Sequence, residues 1–238
     1  MADDVNNWQK IWGNRELRDT LEGKSEFEAF CLLKEADGFD VAVGDREKYY
    51  RGFYEEFLKF YDTIGNSVSS VYEVGCGSGV NLFLFKNRIG NVRLGGIDYS
   101  EKLLRTAAKI GNENDFTLGE AKNMPIEPKY DLVMSEGVFE YFSSTEYAGI
   151  VLRKMISKSN KAVAVLGIYD KDKEQELMDH KRSIIPDYDK KYEGLPKQFY
   201  SKAWFEAIAE EFGKTASFSK PNNPEYWNSE YQYDVIIL

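Results

Sequence analysis

Short runs of apolar residues alternate with amphipathic helical patterns through most of the chain. The apolar runs predict strands at 71–74, 92–97, 115–118, 130–134, 161–167, 215–219 and 231–238. Helices are predicted between them at 80–88, 101–110, 145–157 and 201–212. This alternation favours a mostly parallel sheet with helices on both faces, whereas two consecutive strands with a short link are antiparallel. The pattern therefore predicts an α/β fold: a doubly wound, mostly parallel seven-stranded sheet that ends in an antiparallel hairpin.

The chain before the first strand has a helical pattern of its own. Ser25 begins the signature of a capping box, and Asp45 is placed to cap a second helix. Further along, a charged and tyrosine-rich stretch interrupts the alternation of strands and helices. We predict N-terminal helices within 1–65, a core domain over 66–238, and an insert in that domain at about 169–199.

Three alternating glycines follow the first strand, and an aspartate follows the second. Gly75, Gly77 and Gly79 end the apolar run that begins at Val71. Glycine suits such a turn because it adopts positive φ and because a ligand can approach bare backbone there. Asp98 ends the next apolar run, where a carboxylate accepts hydrogen bonds from a ribose diol. The two strand ends therefore predict a site for a nucleoside-bearing cofactor.

Composition limits the classes of binding partner and the cellular compartment that we expect. The chain has 238 residues and a formal net charge of −9, which disfavours a nucleic acid or an anionic membrane as partner. No apolar stretch approaches the roughly 18–20 residues of a membrane span. Residues 1–4 are acidic and do not resemble a signal peptide, and Cys31 and Cys76 have no metal-ligand spacing. We expect a cytoplasmic protein without a metal site, and its oligomeric state stays open.

The ordered motifs over roughly residues 71–168 resemble those of the class I S-adenosylmethionine-dependent methyltransferases. The matching segments are Glu73-Val74-Gly75-Cys76-Gly77-Ser78-Gly79, Asp98-Tyr99, Gly119-Glu120-Ala121 and Asp131-Leu132-Val133-Met134-Ser135. In that family an acid precedes the glycine turn, a second acid binds the ribose, and the residue after it lies against the adenine. The resemblance further implies that Glu120 and Ala121 touch the adenine amine, and that carbonyls around Ser135 hold the cofactor's amino group. It implies S-adenosylmethionine as donor and S-adenosylhomocysteine as product.

Two side chains are candidates for catalysis. Many relatives have histidines after the fourth motif, whereas this chain reads Gly137-Val138-Phe139-Glu140-Tyr141. The resemblance places Tyr141 beside the cofactor, where its phenol would orient a hydroxyl or act as a base if its pKa fell. His180 lies in the insert, which builds a substrate-binding lid in relatives; a solvent-exposed histidine on a charged helix is the alternative.

Aromatic residues outside the motifs are candidates for binding. In many relatives an N-terminal aromatic closes over the cofactor, so Tyr50 or Tyr49 is expected to bind its carboxylate and Arg51 to pair with it. Their helical spacing is also typical of a buried helix face, which is the structural alternative. Tyr188, Tyr192, Phe199, Tyr200 and Trp204 are expected to line a substrate pocket, although tyrosine is common throughout the chain.

The resemblance therefore implies methyl transfer to a small-molecule acceptor, of the kind that tailors natural products or glycan building blocks. O-methylation of a sugar-like or hydroxylated metabolite is the first expectation, with N-methylation of an amine close behind. A nicotinamide-dependent oxidoreductase is an alternative, weakened by the Gly-x-Gly-x-Gly spacing and by Glu73 before the turn. A non-catalytic module that binds a nucleoside cofactor is another.

Overall fold

The fold is an α/β sandwich built on one central sheet. The computed structural model describes residues 7–39, 45–64, 67–221, 223 and 225–238, so the acidic segment 1–4 lies outside the described residues. The strands are β1 (Ser70–Val74), β2 (Arg93–Asp98), β3 (Phe116–Leu118), β4 (Tyr130–Glu136), β5 (Ser159–Tyr169), β6 (Ala216–Ser219) and β7 (Gln232–Ile237). The helices are α1 (Asn7–Trp12), α2 (Glu26–Ala36), α3 (Arg46–Ile64), α4 (Val80–Ile89), α5 (Glu101–Ala108), α6 (Thr145–Lys158), α7 (Glu174–Ile184), α8 (Tyr188–Lys191) and α9 (Lys202–Glu210).

The sheet has seven strands in the order β3-β2-β1-β4-β5-β7-β6. The first five strands of that order pair in parallel, and β7 pairs antiparallel with both β5 and β6. The predicted fold class, a doubly wound mostly parallel sheet with an antiparallel hairpin at its end, is confirmed. Four of the five β1 residues are buried because helices cover both faces of the sheet.

Apolar side chains alternate between the two faces of the sheet. On one face Val133 packs in a cluster with α6 and α9, and on the other Leu132 packs with α2 and α4. Neighbouring residues of one strand thus enter separate cores, as the two-residue period of a strand requires. The second cluster includes Tyr50, Phe53 and Phe57, so α3 is part of the core on that side.

The predicted helix caps of the N-terminal region are confirmed. Ser25 accepts the backbone N–H of Glu28, and the Glu28 carboxylate in turn accepts the backbone N–H of Ser25 at 2.8 Å. Asp45 accepts the backbone N–H of Lys48 at 3.1 Å and caps α3. These caps satisfy N–H groups that the first helical turns leave without partners.

A bulge interrupts the pairing of β5 with β7 between Val165 and Ile168. Gly167 adopts φ +72° there and donates its N–H to Asp234 at 2.8 Å. Gln232 donates its side-chain amide to the Gly167 carbonyl at 3.0 Å. Two side chains of β7 therefore hold the bulge at the end of the sheet where the glycine turn lies.

The tyrosine-rich stretch after β5 folds into α7 and α8. Leu177 of α7 is fully buried and packs with Tyr169, Phe199 and Tyr231. None of the helices in the described ranges combines the length and apolar character needed to cross a bilayer.

Candidate active site

The glycine turn joins β1 to α4 at the carboxyl end of the sheet. Gly75, Gly77 and Gly79 all have positive φ, between +50° and +84°. A Cβ on Gly79 would lie 2.9 Å from the Ala107 backbone, so this glycine allows α4 and α5 to pack closely. A Cβ on Gly77 would instead lie 2.5 Å from a carboxylate oxygen of Asp37. The two positions therefore need glycine for different reasons, the first for helix packing and the second for a polar group that lies on the backbone.

Asp98 links the glycine turn to the end of β2. Its carboxylate accepts the backbone N–H of Gly77 at 2.9 Å and that of Ser100 at 2.7 Å. Burial raises the pKa of Asp98, although these hydrogen bonds oppose the shift. The carboxylate is thus fixed in orientation by two backbone donors at adjacent strand ends.

Glu120 lies after β3 and is bonded through both carboxylate oxygens. Tyr147 donates its hydroxyl to one oxygen at 2.8 Å, and the Gln9 side chain of α1 donates to the other. Tyr99 and Ala121 line the same cavity as Glu120. The side of the cavity where the motifs predict an adenine is therefore covered by α1.

A chain of polar side chains lies at the opposite side of the glycine turn. The Asn81 side chain donates to Glu73 at 2.7 Å and to Glu136 at 2.7 Å, and Lys34 of α2 donates to Glu136 at 2.9 Å. Oε2 of Glu73 is buried and has no hydrogen-bond partner among the described residues. Burial, together with Glu136 and Asp37, raises the pKa of Glu73 well above its usual value, against the hydrogen bond from Asn81. This carboxyl group is therefore set to accept one more donor.

These residues surround a cavity of about 1360 Å³. The cavity brings together most of the site residues that the sequence predicted: Glu73, Gly75, Gly77, Asp98, Tyr99, Glu120, Ala121 and Tyr141. Gly79 packs on α5 instead, and Ser135 is fully buried, where its hydroxyl donates to the Val74 carbonyl at 2.9 Å.

Tyr141 lines the cavity, but its environment disfavours the phenolate. Burial raises its pKa to about 12, even though Lys197 donates to the phenol at 3.3 Å and opposes the shift. The condition under which Tyr141 would act as a base, a lowered pKa, is therefore not met. Its ring packs edge-on against Trp8 and Trp12 of α1, at 4.8 and 5.4 Å between centroids. A protonated phenol suits hydrogen bonding and packing.

The structure does not bring Tyr50 and Arg51 to the glycine turn. The Tyr50 side chain is buried, and its hydroxyl donates to the Phe39 carbonyl at 2.7 Å. Arg51 pairs with Glu47 at 2.6 Å on the outer side of α3. Both residues line a separate cavity of about 570 Å³, so the structural alternative, a helix face that packs, describes Tyr50 better than a lid does.

His180 and the aromatic residues around the insert also lie apart from the cavity. His180 is half-buried on α7 and stacks on Trp227 at 5.2 Å between ring centroids. Tyr188 and Tyr192 pack on each other at 4.8 Å. Neither the catalytic candidate His180 nor any of the five predicted pocket residues is part of the described cavity lining: Tyr188, Tyr192, Phe199, Tyr200 and Trp204.

Sequence reasoning missed the polar residues that α2 and β7 contribute. Lys34, Asp37 and Asp234 line the cavity, although they lie outside the recognised motifs. The only local signal is that Lys34 and Asp37 are three positions apart at the end of a capped helix, which puts them on one face. Burial raises the pKa of Asp37 to about 7 and that of Asp234 to about 6.

Comparison with known proteins identifies the central segment. Residues 71–157 match the family described as a methyltransferase domain, which confirms the family resemblance drawn from the motifs. The chain is 31% identical over 127 residues to peramine synthetase ppzA of Metarhizium majus (strain ARSEF 297), covering 47% of this chain and 4% of that protein. It is 28% identical over 81 residues to a malonyl-[acyl-carrier protein] O-methyltransferase of Priestia megaterium (strain DSM 319 / IMG 1521), and this match covers 33% of this chain and 30% of that protein. The chain therefore spans less than a third of each of these curated relatives.

A solved structure shares the fold at low identity. Magnesium protoporphyrin IX methyltransferase (ChlM) from Synechocystis PCC 6803, crystallised with bound SAH, superposes with a TM-score of 0.59 at 17% identity. The match covers 83% of this chain and 88% of that one. The shared fold thus extends beyond the matched segment 71–157.

Proposed function

We propose that this protein transfers a methyl group from S-adenosylmethionine to a small-molecule acceptor, because residues 71–157 match the methyltransferase domain family and carry motifs that resemble those of the class I enzymes. The observation that carries the proposal is the single cavity in which Glu73, Gly77, Asp98 and Glu120 meet. The segments that resemble the family's cofactor motifs are distant in sequence, yet they face one space.

The residues present fit the donor. Asp98 offers a fixed carboxylate to a ribose diol, and Glu120 with Tyr99 offers a polar and an aromatic side chain to the adenine. The unpartnered Oε2 of Glu73 suits an ammonium group, since a buried carboxylate without a partner is costly. When bound, the donor supplies an activated methyl group, so the protein has to position the acceptor and, for a hydroxyl acceptor, remove its proton.

A hydroxylated acceptor is the first candidate because the cavity offers a carboxyl group suited to act as a base. Asp234 lines the cavity beside the β5 bulge, and burial raises its pKa to about 6. A base with a pKa near the working pH is efficient in removing a hydroxyl proton. The polar groups of Gln232 and Ser229 and the ring of Tyr226 line the same cavity, a combination that suits a ring bearing hydroxyls.

An amine acceptor is the second candidate because the cavity lining is acidic. Among the described residues it contains eight carboxylate side chains and four lysines. An excess of carboxylates attracts a cationic amine, and aromatic rings in the same wall bind ammonium groups. An amine needs only to arrive deprotonated at the methyl group.

Two measurements test the proposal. Calorimetric titration with S-adenosylhomocysteine should give saturable binding, whereas reduced nicotinamide dinucleotide should give none; the reverse result would establish the oxidoreductase alternative. Transfer of a radiolabelled methyl group to hydroxylated ring compounds, compared with their amino analogues, then identifies the acceptor atom. Donor binding combined with the absence of transfer to either set would favour the non-catalytic module.

A further inference from the structure

The end of α2 lies directly on the glycine turn. The Asp37 carboxylate accepts the backbone N–H of Ser78 at 2.7 Å and its hydroxyl at 2.9 Å. The same carboxylate occupies the space beside Gly77, where a Cβ would come within 2.5 Å of Oδ1. Asp37 also lines the cavity, so it belongs to the wall of the site as well as to the contact between α2 and the turn.

Lys34 lies one helical turn before Asp37 and reaches the same region. Its ammonium pairs with Glu136 at 2.9 Å, and only 13% of its side chain is exposed. The ion pair with Glu136 raises the pKa of Lys34, although burial alone would lower it. A buried ammonium that stays charged is held beside the carboxyl ends of β1 and β4.

The carboxyl groups near the turn outnumber the cations there. Asp37 and Glu73 both have raised pKa values, chiefly because burial leaves their charges without sufficient compensation. Among the described lysines of the cavity lining, Lys34 is connected to the glycine turn by hydrogen bonds. It donates to Glu136, and Glu136 also accepts the side-chain amide of Asn81 in α4, the helix that follows the turn. Of the other lining lysines, Lys122 lies over the Tyr147 ring on the predicted adenine side.

A ligand with an ammonium and a carboxylate on one carbon matches this arrangement. Its ammonium would compensate the two buried acids, and its carboxylate would meet the buried lysine. The donor carries such an amino-acid group at the end opposite its adenine. Tyr50 and Arg51, which the sequence predicted to bind the carboxylate of this group, line a different cavity.

Resting on the proposed function, we propose that α2 binds the amino-acid end of the donor, with Asp37 and Glu73 holding its ammonium and Lys34 its carboxylate. Two of these three residues lie outside the matched methyltransferase segment. The N-terminal helices then complete the donor site.

The experiment compares two ligands that differ only in this group. S-adenosylhomocysteine and 5′-methylthioadenosine share the adenosine and the thioether, but the second lacks the amino-acid carboxylate and ammonium. Their affinities are measured by calorimetry for the parent protein, Lys34→Met, Asp37→Asn and Glu35→Gln. Glu35 is the matched control, because it lies on the same helix and pairs with Arg46.

We expect S-adenosylhomocysteine to bind about 10- to 100-fold more weakly to Lys34→Met and to Asp37→Asn, the effect of losing a hydrogen bond to a charged group. Methylthioadenosine should bind all variants within about twofold of the parent, and Glu35→Gln should match the parent with both ligands. Asp98→Asn should weaken both ligands alike, since both contain the ribose.

Other outcomes would overturn either this inference or the proposed function. Equal losses for the two ligands would mean that Lys34 and Asp37 only hold the fold, and unchanged affinities would mean that α2 does not touch the donor; either overturns the inference. Failure of the parent protein to bind S-adenosylhomocysteine would overturn the proposed function itself.

Discussion

Replacing Gly77 by alanine tests the geometry of the glycine turn most directly. Gly77 has φ +50°, a conformation that costs an alanine about 1–2 kcal/mol. The new methyl group would lie 2.5 Å from Asp37 Oδ1 and 2.9 Å from its Cγ, so the carboxylate must move. Moving it breaks the two hydrogen bonds from Ser78, which contribute about 1 kcal/mol each.

The expected loss in the free energy of unfolding is therefore about 3–4 kcal/mol, measured by urea denaturation. Gly213→Ala is the matched control, because Gly213 has φ +65° and a Cβ there would meet nothing within 4 Å. The control should lose only the backbone part, about 1–2 kcal/mol. We also expect Gly77→Ala to bind S-adenosylhomocysteine at least about 10-fold more weakly, because the displaced Asp37 no longer holds its place in the cavity. If the two variants are equally stable and both bind like the parent, the contact between Asp37 and the turn does not exist as described.

Three further predictions concern single side chains of the cavity. Asp98→Ala should weaken S-adenosylhomocysteine binding by about 1–3 kcal/mol in calorimetry, because two ribose hydroxyls lose their acceptor; an unchanged affinity would remove Asp98 from the site. Tyr141→Phe should leave this affinity within about twofold and slow methyl transfer, since only the hydroxyl bonded to Lys197 is lost; equal rates would exclude a role for the phenol. Asp234→Asn should raise stability above pH 7 by up to about 3 kcal/mol, because the folded protein raises the pKa of this carboxyl from 3.8 to about 6 and so favours its neutral form. That gain should shrink as the pH falls from 7 and disappear below about pH 3, where the parent carboxyl is protonated in both states; a gain independent of pH in urea denaturation would contradict the reasoning.

Local sequence determines the wall of the cavity that contains the glycine turn and Asp98, which is why their proximity was predictable. Gly77 and Asp98 each follow a buried parallel strand, and the carboxyl ends of parallel strands meet at one edge of the sheet. Knowing the two strands is enough to place these residues together. The hydrogen bond from Gly77 to Asp98 is a direct consequence of that topology.

Tertiary packing determines the other walls, and no local pattern predicts it. The helical spacing around Tyr50 correctly indicates a buried face. The same spacing occurs in a helix that covers a ligand and in a helix that packs in the core, so it does not distinguish them. Tyr50 enters the core because Phe39 packs on it, with ring centroids 5.7 Å apart. Lys34 and Asp37 reach the site because α2 ends above the glycine turn, and that depends on how the N-terminal helices dock on the sheet.

The short helix α1 contacts two residues of the cavity lining, Glu120 and Tyr141. Gln9 is bonded to Glu120, while Trp8 and Trp12 pack on Tyr141. A helix of six residues has little stability by itself, so these contacts decide its position. A molecule that donates a hydrogen bond to Glu120 in place of Gln9 would release this contact of α1 and shift the indole rings with it. Indole emission should therefore change each time the spent donor is exchanged, which makes product release directly visible by stopped-flow fluorescence.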